Sequence, residues 1–120
     1  MIHPTNVRTR LESSPRLLAT RLLTTTDSRI YECPAGKRAT VDLLVFCNGA
    51  TAATLLRFHH AEKGGASTQR NAQFYDTSMA ASSVMQDTGT RSLLEGEALR
   101  GSAGAASAIS VSVYGREADL

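Results

Sequence analysis

The chain predicts an all-β fold: an antiparallel β-sandwich, jelly-roll-like, of about eight strands, with an extended N-terminal arm. Three observations predict it. Short segments alternate apolar and polar residues, most cleanly in Ile109-Ser-Val-Ser-Val-Tyr114. Turn signals such as Pro34-Ala-Gly-Lys37, Asn48-Gly49, Gly64-Gly65, Gly89-Thr90 and Glu95-Gly96 punctuate the chain between short strand-like runs. No segment carries the apolar stripe of an amphipathic helix.

A length of 120 residues suits one domain, read as an arm over residues 1–16 and a sandwich over residues 17–120. Net charge is only +2, but it is unevenly spread. Residues 1–38 hold seven basic side chains against three acidic ones, whereas the other 82 residues hold six against eight. A basic segment on an acidic body fits docking onto an acidic partner or a neighbouring copy. The segment lacks the dense basic runs and aromatic platforms of nucleic-acid binders, so no nucleic-acid partner is expected. No apolar run approaches the roughly 18 residues of a membrane span. Met1-Ile-His-Pro-Thr-Asn-Val-Arg8 has no apolar signal region, so the expectation is no membrane partner and a cytoplasmic site of synthesis.

Residues 1–16 show no sustained periodicity, and Pro4 and Pro15 bracket a polar run. Arms of this kind order on a partner, which makes Arg8, Arg10, Leu11 and Arg16 candidate interface residues. Leu17–Thr24 admits helix or strand. Thr24-Thr-Thr26 and the strand at Arg29–Cys33 favour a strand, paired across Asp27-Ser28. Pro34-Ala-Gly-Lys37 is a tight turn, since proline presets φ and glycine supplies a positive one. It predicts a hairpin into the long strand ending at Asn48. There Ala39, Val41, Leu43, Val45 and Cys47 alternate on the inward face; Thr40, Asp42, Leu44 and Phe46 lie opposite. That second face turns apolar at Leu44 and Phe46, so these two are candidates for subunit packing. In such a hairpin Cys33 and Cys47 stand about 27 Å apart at 3.4 Å per residue, too far for a disulfide.

Asn48-Gly-Ala50 predicts a turn and Ala52–His60 a return strand. A loop at 62–67 precedes a strand at Asn71–Ser78 with Phe74 inward. Ser82–Thr88 is a polar strand anchored by Val84, with Met85 beside it. Leu93 and Leu99 anchor the segments flanking Glu95-Gly96. The last strand, Ala108–Gly115, turns Ile109, Val111 and Val113 inward.

No constellation for catalysis emerges, so no enzyme, cofactor or metal is expected. His59 and His60 point to opposite faces of a strand and cannot share an ion. Pro34–Arg38 contains Gly-Lys without phosphate-loop spacing. Glu95 and Glu97 read as solvated charges, Asp42 as an ion-pair partner of Arg57, and no serine sits in a nucleophile elbow.

Three segments together carry a resemblance. Ile30-Tyr-Glu-Cys-Pro-Ala-Gly-Lys-Arg-Ala-Thr-Val41 followed by Val45-Phe-Cys-Asn48 is similar to the start of many small β-sandwich virion proteins of tailed bacteriophages. Phe74-Tyr-Asp-Thr-Ser-Met-Ala-Ala-Ser-Ser82 resembles their middle strand and turn, and Leu93–Ser102 with Ile109–Gly115 resembles their ending. The chain departs in carrying Glu97 where those proteins usually have aspartate, and in being a sandwich with no fibre or receptor-binding domain. The resemblance implies a non-enzymatic capsid decoration, or cement, protein in the virion, assembled in the host bacterial cytoplasm. It implies the major capsid protein of the shell as partner and a homo-oligomer, a trimer foremost. Its alternative is a tail, head–tail joining or fibre-anchoring component. A carbohydrate-binding sandwich is a distant third, disfavoured by the absence of Trp.

Overall fold

A computed structural model describes residues 15–120. Nine strands follow in order: β1 (Arg16–Leu22), β2 (Ser28–Glu32), β3 (Lys37–Asn48), β4 (Thr54–Ala61), β5 (Ala72–Met79), β6 (Ser83–Asp87), β7 (Arg91–Leu93), β8 (Ala98–Ala103) and β9 (Ile109–Asp119). A single 3-10 turn, Gln69–Asn71, precedes β5. One sheet runs β1-β9-β3-β6, with β7 also on β3; the other runs β2-β8-β4-β5. All pairings are antiparallel. The expected β-sandwich is therefore what the chain forms, with β6 and β7 as two short strands along successive parts of β3.

The two sheets pack face to face around Val41, Leu44, Phe46, Leu56, Phe58, Leu93, Leu99, Ile109, Val111 and Val113, all fully buried. Phe46 sits edge-on to Phe58 at 5.3 Å and to Phe74 at 5.6 Å between ring centroids. Such edge-to-face pairs add to the area term in a core with few aromatics. The inward placement of Phe74, Leu93, Leu99 and the β9 triad matches the alternation of the sequence. In β6 the anchor is Met85; Val84 is 61% exposed, the reverse of the expected emphasis.

Connectivity departs from expectation in a consistent way. β2 and β3 do not pair: β2 lies on β8, and β3 on β9. β1 pairs with β9 rather than with β2, and β4 pairs with β8 and β5 rather than with β3. Each of these turns carries the chain from one sheet to the other. Pro34–Lys37 is the tight turn expected, with Lys37 N donating to Pro34 O and Gly36 at φ 75°. Turn chemistry specifies a reversal; which strand then accepts the hydrogen bonds is decided by packing.

The second departure is a bulge. Val41 opposes Gly115 and Leu43 opposes Tyr114, so Asp42 is an extra residue in β3. Asp42 and Leu43 both face outward, and the phase inverts beyond them. Leu44 and Phe46 are consequently core, with no exposed surface, and Leu43, Val45 and Cys47 are the half-buried outer side chains. β1 carries a matching irregularity at Leu18, against the same stretch of β9. Gly115 permits this close meeting: a Cβ there would lie 2.1 Å from the Thr40 carbonyl oxygen.

Candidate functional site

Cross-strand register assembles the outer face of the β1-β9-β3-β6 sheet row by row. Leu17, Tyr114 and Leu43 form the first row; Thr20, Ser112, Val45 and Gln86 the second; Leu22, Ser110, Cys47 and Val84 the third. These rows contain no Asp, Glu, Lys, Arg or His side chain. Leu17, Leu22 and Val84 are more than half exposed. At about 4.8 Å per strand and 3.4 Å per residue, the Cα lattice spans about 14 Å each way, and side chains widen the patch to on the order of 400 Å². The Asp42–Arg116 ion pair, 3.2 Å, borders it on one side.

The sequence-predicted interface residues scatter relative to this face. Arg8, Arg10 and Leu11 lie outside the described residues. Arg16 lies on β1, where its guanidinium bonds Glu117 Oε1 at 2.9 Å. Leu44 and Phe46 are corrected to core residues, because the extra residue at Asp42 rotates the strand beyond it. One end of β3 is apolar on both sides, with Leu43, Val45 and Cys47 as the outer set. A one-residue bulge leaves no local sequence signal, so strict alternation assigns the wrong half of the strand.

The opposite outer face, on β2-β8-β4-β5, is polar. Leu56 opposes Thr77 and Phe58 opposes Phe74, so Tyr75 and Asp76 together face the single residue Arg57. Asp76 adopts φ 53°, tolerable for aspartate. Arg57 Nε donates to Asp76 Oδ1 at 2.6 Å, and the guanidinium carbon stands 4.3 Å over the Tyr75 ring. That hydrogen bond raises the Arg57 pKa and lowers that of Asp76. The expected Asp42–Arg57 pair does not form; each finds a nearer partner. Next to Arg57, His59 is almost wholly buried beneath the 3-10 turn. His60 is on the other side of the strand phase, with Nε2 3.0 Å from Glu97 Oε1. Among the described residues no group of three His, Cys, Asp or Glu side chains could hold a metal ion.

Glu95 and Glu97 join turns rather than standing free. Glu95 Oε2 accepts from Gly36 N at 2.6 Å, Glu97 Oε1 from Leu94 N, and Gly96 N donates to Cys33 O. Cys33 and Cys47 are free thiols, and burial pushes the Cys33 thiol pKa up. Burial also raises the Tyr31 hydroxyl far above the usual phenolic range, and its bond to Glu117, 2.5 Å, acts in the same direction. Lys37 is raised and Asp119 lowered by their mutual hydrogen bond.

No protein-family model and no curated protein matches this chain.

Proposed function

We propose that the protein is a non-enzymatic structural component of a bacteriophage virion, a capsid decoration protein that assembles through the outer face of its β1-β9-β3-β6 sheet. The observation that carries this reading is that face: uncharged, largely apolar, and built from four strands. Its occupant is a second copy of the chain. A face without charge needs no complementary charge opposite it, so it can pack against an uncharged part of a second copy under rotational symmetry. A stable interface buries roughly 800 Å² per partner, about twice what the patch offers. Rim contacts therefore supply the remainder; in the proposed cyclic trimer each subunit turns this face to one neighbour and a different surface to the other, so each meets two neighbours.

The motifs around Pro34–Lys37 and Ile109–Gly115 support the virion assignment. We also read the strand order as a jelly roll, because each sheet interleaves early strands with late ones: β1 and β3 with β9, β2 and β4 with β8. Contact with the major capsid protein falls to the basic N-terminal segment.

Substitution Val45→Glu tests the assembly. Val45 is half-buried at the centre of the patch, so a glutamate there leaves the core untouched. Light scattering after size exclusion should give about three times the 12.8 kDa chain mass for the parent and the single-chain mass for the variant. Shells lacking the protein should bind the parent in hundreds of copies and the variant at least about tenfold more weakly. An unchanged mass and undiminished shell binding in the variant would sink the proposal.

A further inference from the structure

An outward-facing strand residue normally meets water, yet His59 is only 4% exposed. The 3-10 turn and its cap fold over it. His59 Nδ1 lies 2.9 Å from Thr68 O and 2.9 Å from Asn71 Oδ1. The Asn71 amide is oriented by its own bonds, since Nδ2 donates to Ala66 O and Oδ1 accepts from Thr68 N. Both neighbours of Nδ1 are thus acceptors, so Nδ1 carries the proton. In the neutral ring Nε2 is then a lone-pair acceptor. Among the described residues Nε2 has no hydrogen-bond partner.

His59 lines a hollow of about 130 Å³ together with Arg57, Ser67, Gln69, Tyr75 and Ser102. A second hollow of about 270 Å³ continues past Arg57 and Ser102 toward Leu55 and Gly104. The walls are held in place beforehand. Arg57 is clamped by Asp76 through two bonds, and Tyr75 stands between Arg57 and the edge of His59, with ring centroids 6.3 Å apart. Asp27, also on the wall, receives Ser67 Oγ at 2.6 Å and Arg100 Nε at 2.9 Å. Preorganised groups of this kind lose little freedom when a ligand arrives.

We propose that this groove is a binding site for a hydroxyl-rich neutral ligand, a sugar ring, whose hydroxyls donate to His59 Nε2 and accept from Arg57 and the Ser102 hydroxyl. The lining mixes donors and acceptors, which is what a group that both donates and accepts requires. A carboxylate and a lone pair in the same wall oppose phosphate. At about 30 Å³ per water the first hollow holds roughly four waters, the space of part of one sugar ring, and the second extends it. This role is separate from assembly: it uses the other sheet and does not depend on the oligomer.

The test uses the isotopically labelled full chain in nuclear magnetic resonance titrations. Methyl α-glucoside, methyl α-galactoside, methyl α-rhamnoside and N-acetylglucosamine are each added to about 50 mM, with inorganic phosphate in parallel. One or more sugars should give saturable shifts confined to Arg57, His59, Ser67, Tyr75 and Ser102. The dissociation constant should be on the order of millimolar, as ligand efficiency gives for about a dozen heavy atoms. The His59 ring nitrogens should report the Nδ1-protonated tautomer, with Nε2 moving on sugar addition. Ser102→Val and Arg57→Met, checked for unchanged melting, should each weaken binding about fivefold. Absence of saturable shifts with all four sugars, shifts located elsewhere, or tighter binding of phosphate would each overturn the proposal, whatever the oligomeric state proves to be.

Discussion

Asn48 is fully buried and polar, and the structure shows why it is not a liability. Its Nδ2 reaches the carbonyls of Ala52, Met79 and Ala80 at 3.1–3.2 Å, and its Oδ1 accepts from Ala50 N. One side chain thereby ties β3, the 49–53 connection and the end of β5 together. Asn48→Ala should cost about 2–4 kcal/mol in urea unfolding, because three carbonyls and an amide lose their partner away from water. The two leucines of β3 give a sharper comparison. Leu44→Ala empties core volume and should cost about 3 kcal/mol, whereas Leu43→Ala on the outer face should cost under about 1 kcal/mol in the isolated chain. Equal costs would contradict the phase inversion at Asp42. Tyr31 gives a pH signature. Its folded pKa is raised, so the stability it confers is complete below the unfolded phenolic value near 10 and is lost as pH rises above it. Unfolding midpoints should fall above about pH 10 in the parent, and less steeply in Tyr31→Phe.

At the scale of strands, alternation was legible wherever a strand is regular. β9 shows it best, since Ile109, Val111 and Val113 reach the core by strict period two. Strand existence was legible too, including the contested segment that becomes β1. Partner choice was not, because the turns after β1, β2 and β3 use the residues of hairpins while bridging two sheets. The apolar outer face was half legible: the need to cover one end of β3 twice was evident, but Asp42 moved that need from Leu44 and Phe46 to Leu43, Val45 and Cys47. The groove around His59 was not legible at all, since it depends on a double-residue bulge at Tyr75–Asp76 and on a loop folding back. Deleting Asp42 should preserve the fold, because Val41 stays inward, Leu43 outward and Leu44 inward after the loss. Deleting Val45 should instead throw Phe46 outward and abolish cooperative unfolding. Slow amide exchange at Leu44 and Phe46 in the first variant, and its loss in the second, is the measurement. Gly115→Ala should be as damaging as a core deletion, since its Cβ would strike the β3 backbone.

At the scale of the molecule, the sandwich is long, 54 × 31 × 19 Å, and its two ends differ in chemistry. Arg16–Glu117, Lys37–Asp119 and the Glu95 contact to Gly36 gather charge toward the end where Leu120 N bonds Gly36 O. Removal of residues 1–14 spares β1 entirely. Under the proposed function the truncated protein should keep its oligomeric mass and lose shell binding in a sedimentation assay; retained binding would take the segment out of the mechanism. The far end is made of Gly49–Ala53, Ala80–Ser82 and Gly104–Ser107, connections without a single charged residue, stitched together by Gly49 N to Ala108 O, Ser82 N to Ala50 O and Gly104 N to Leu55 O. Because Leu120 lies at the charged end, cargo fused to it would sit on that side. A peptide spliced between Ala105 and Ala106, both exposed, points the other way. The protein thus offers a display platform whose presenting tip is chemically neutral and remote from its charged end.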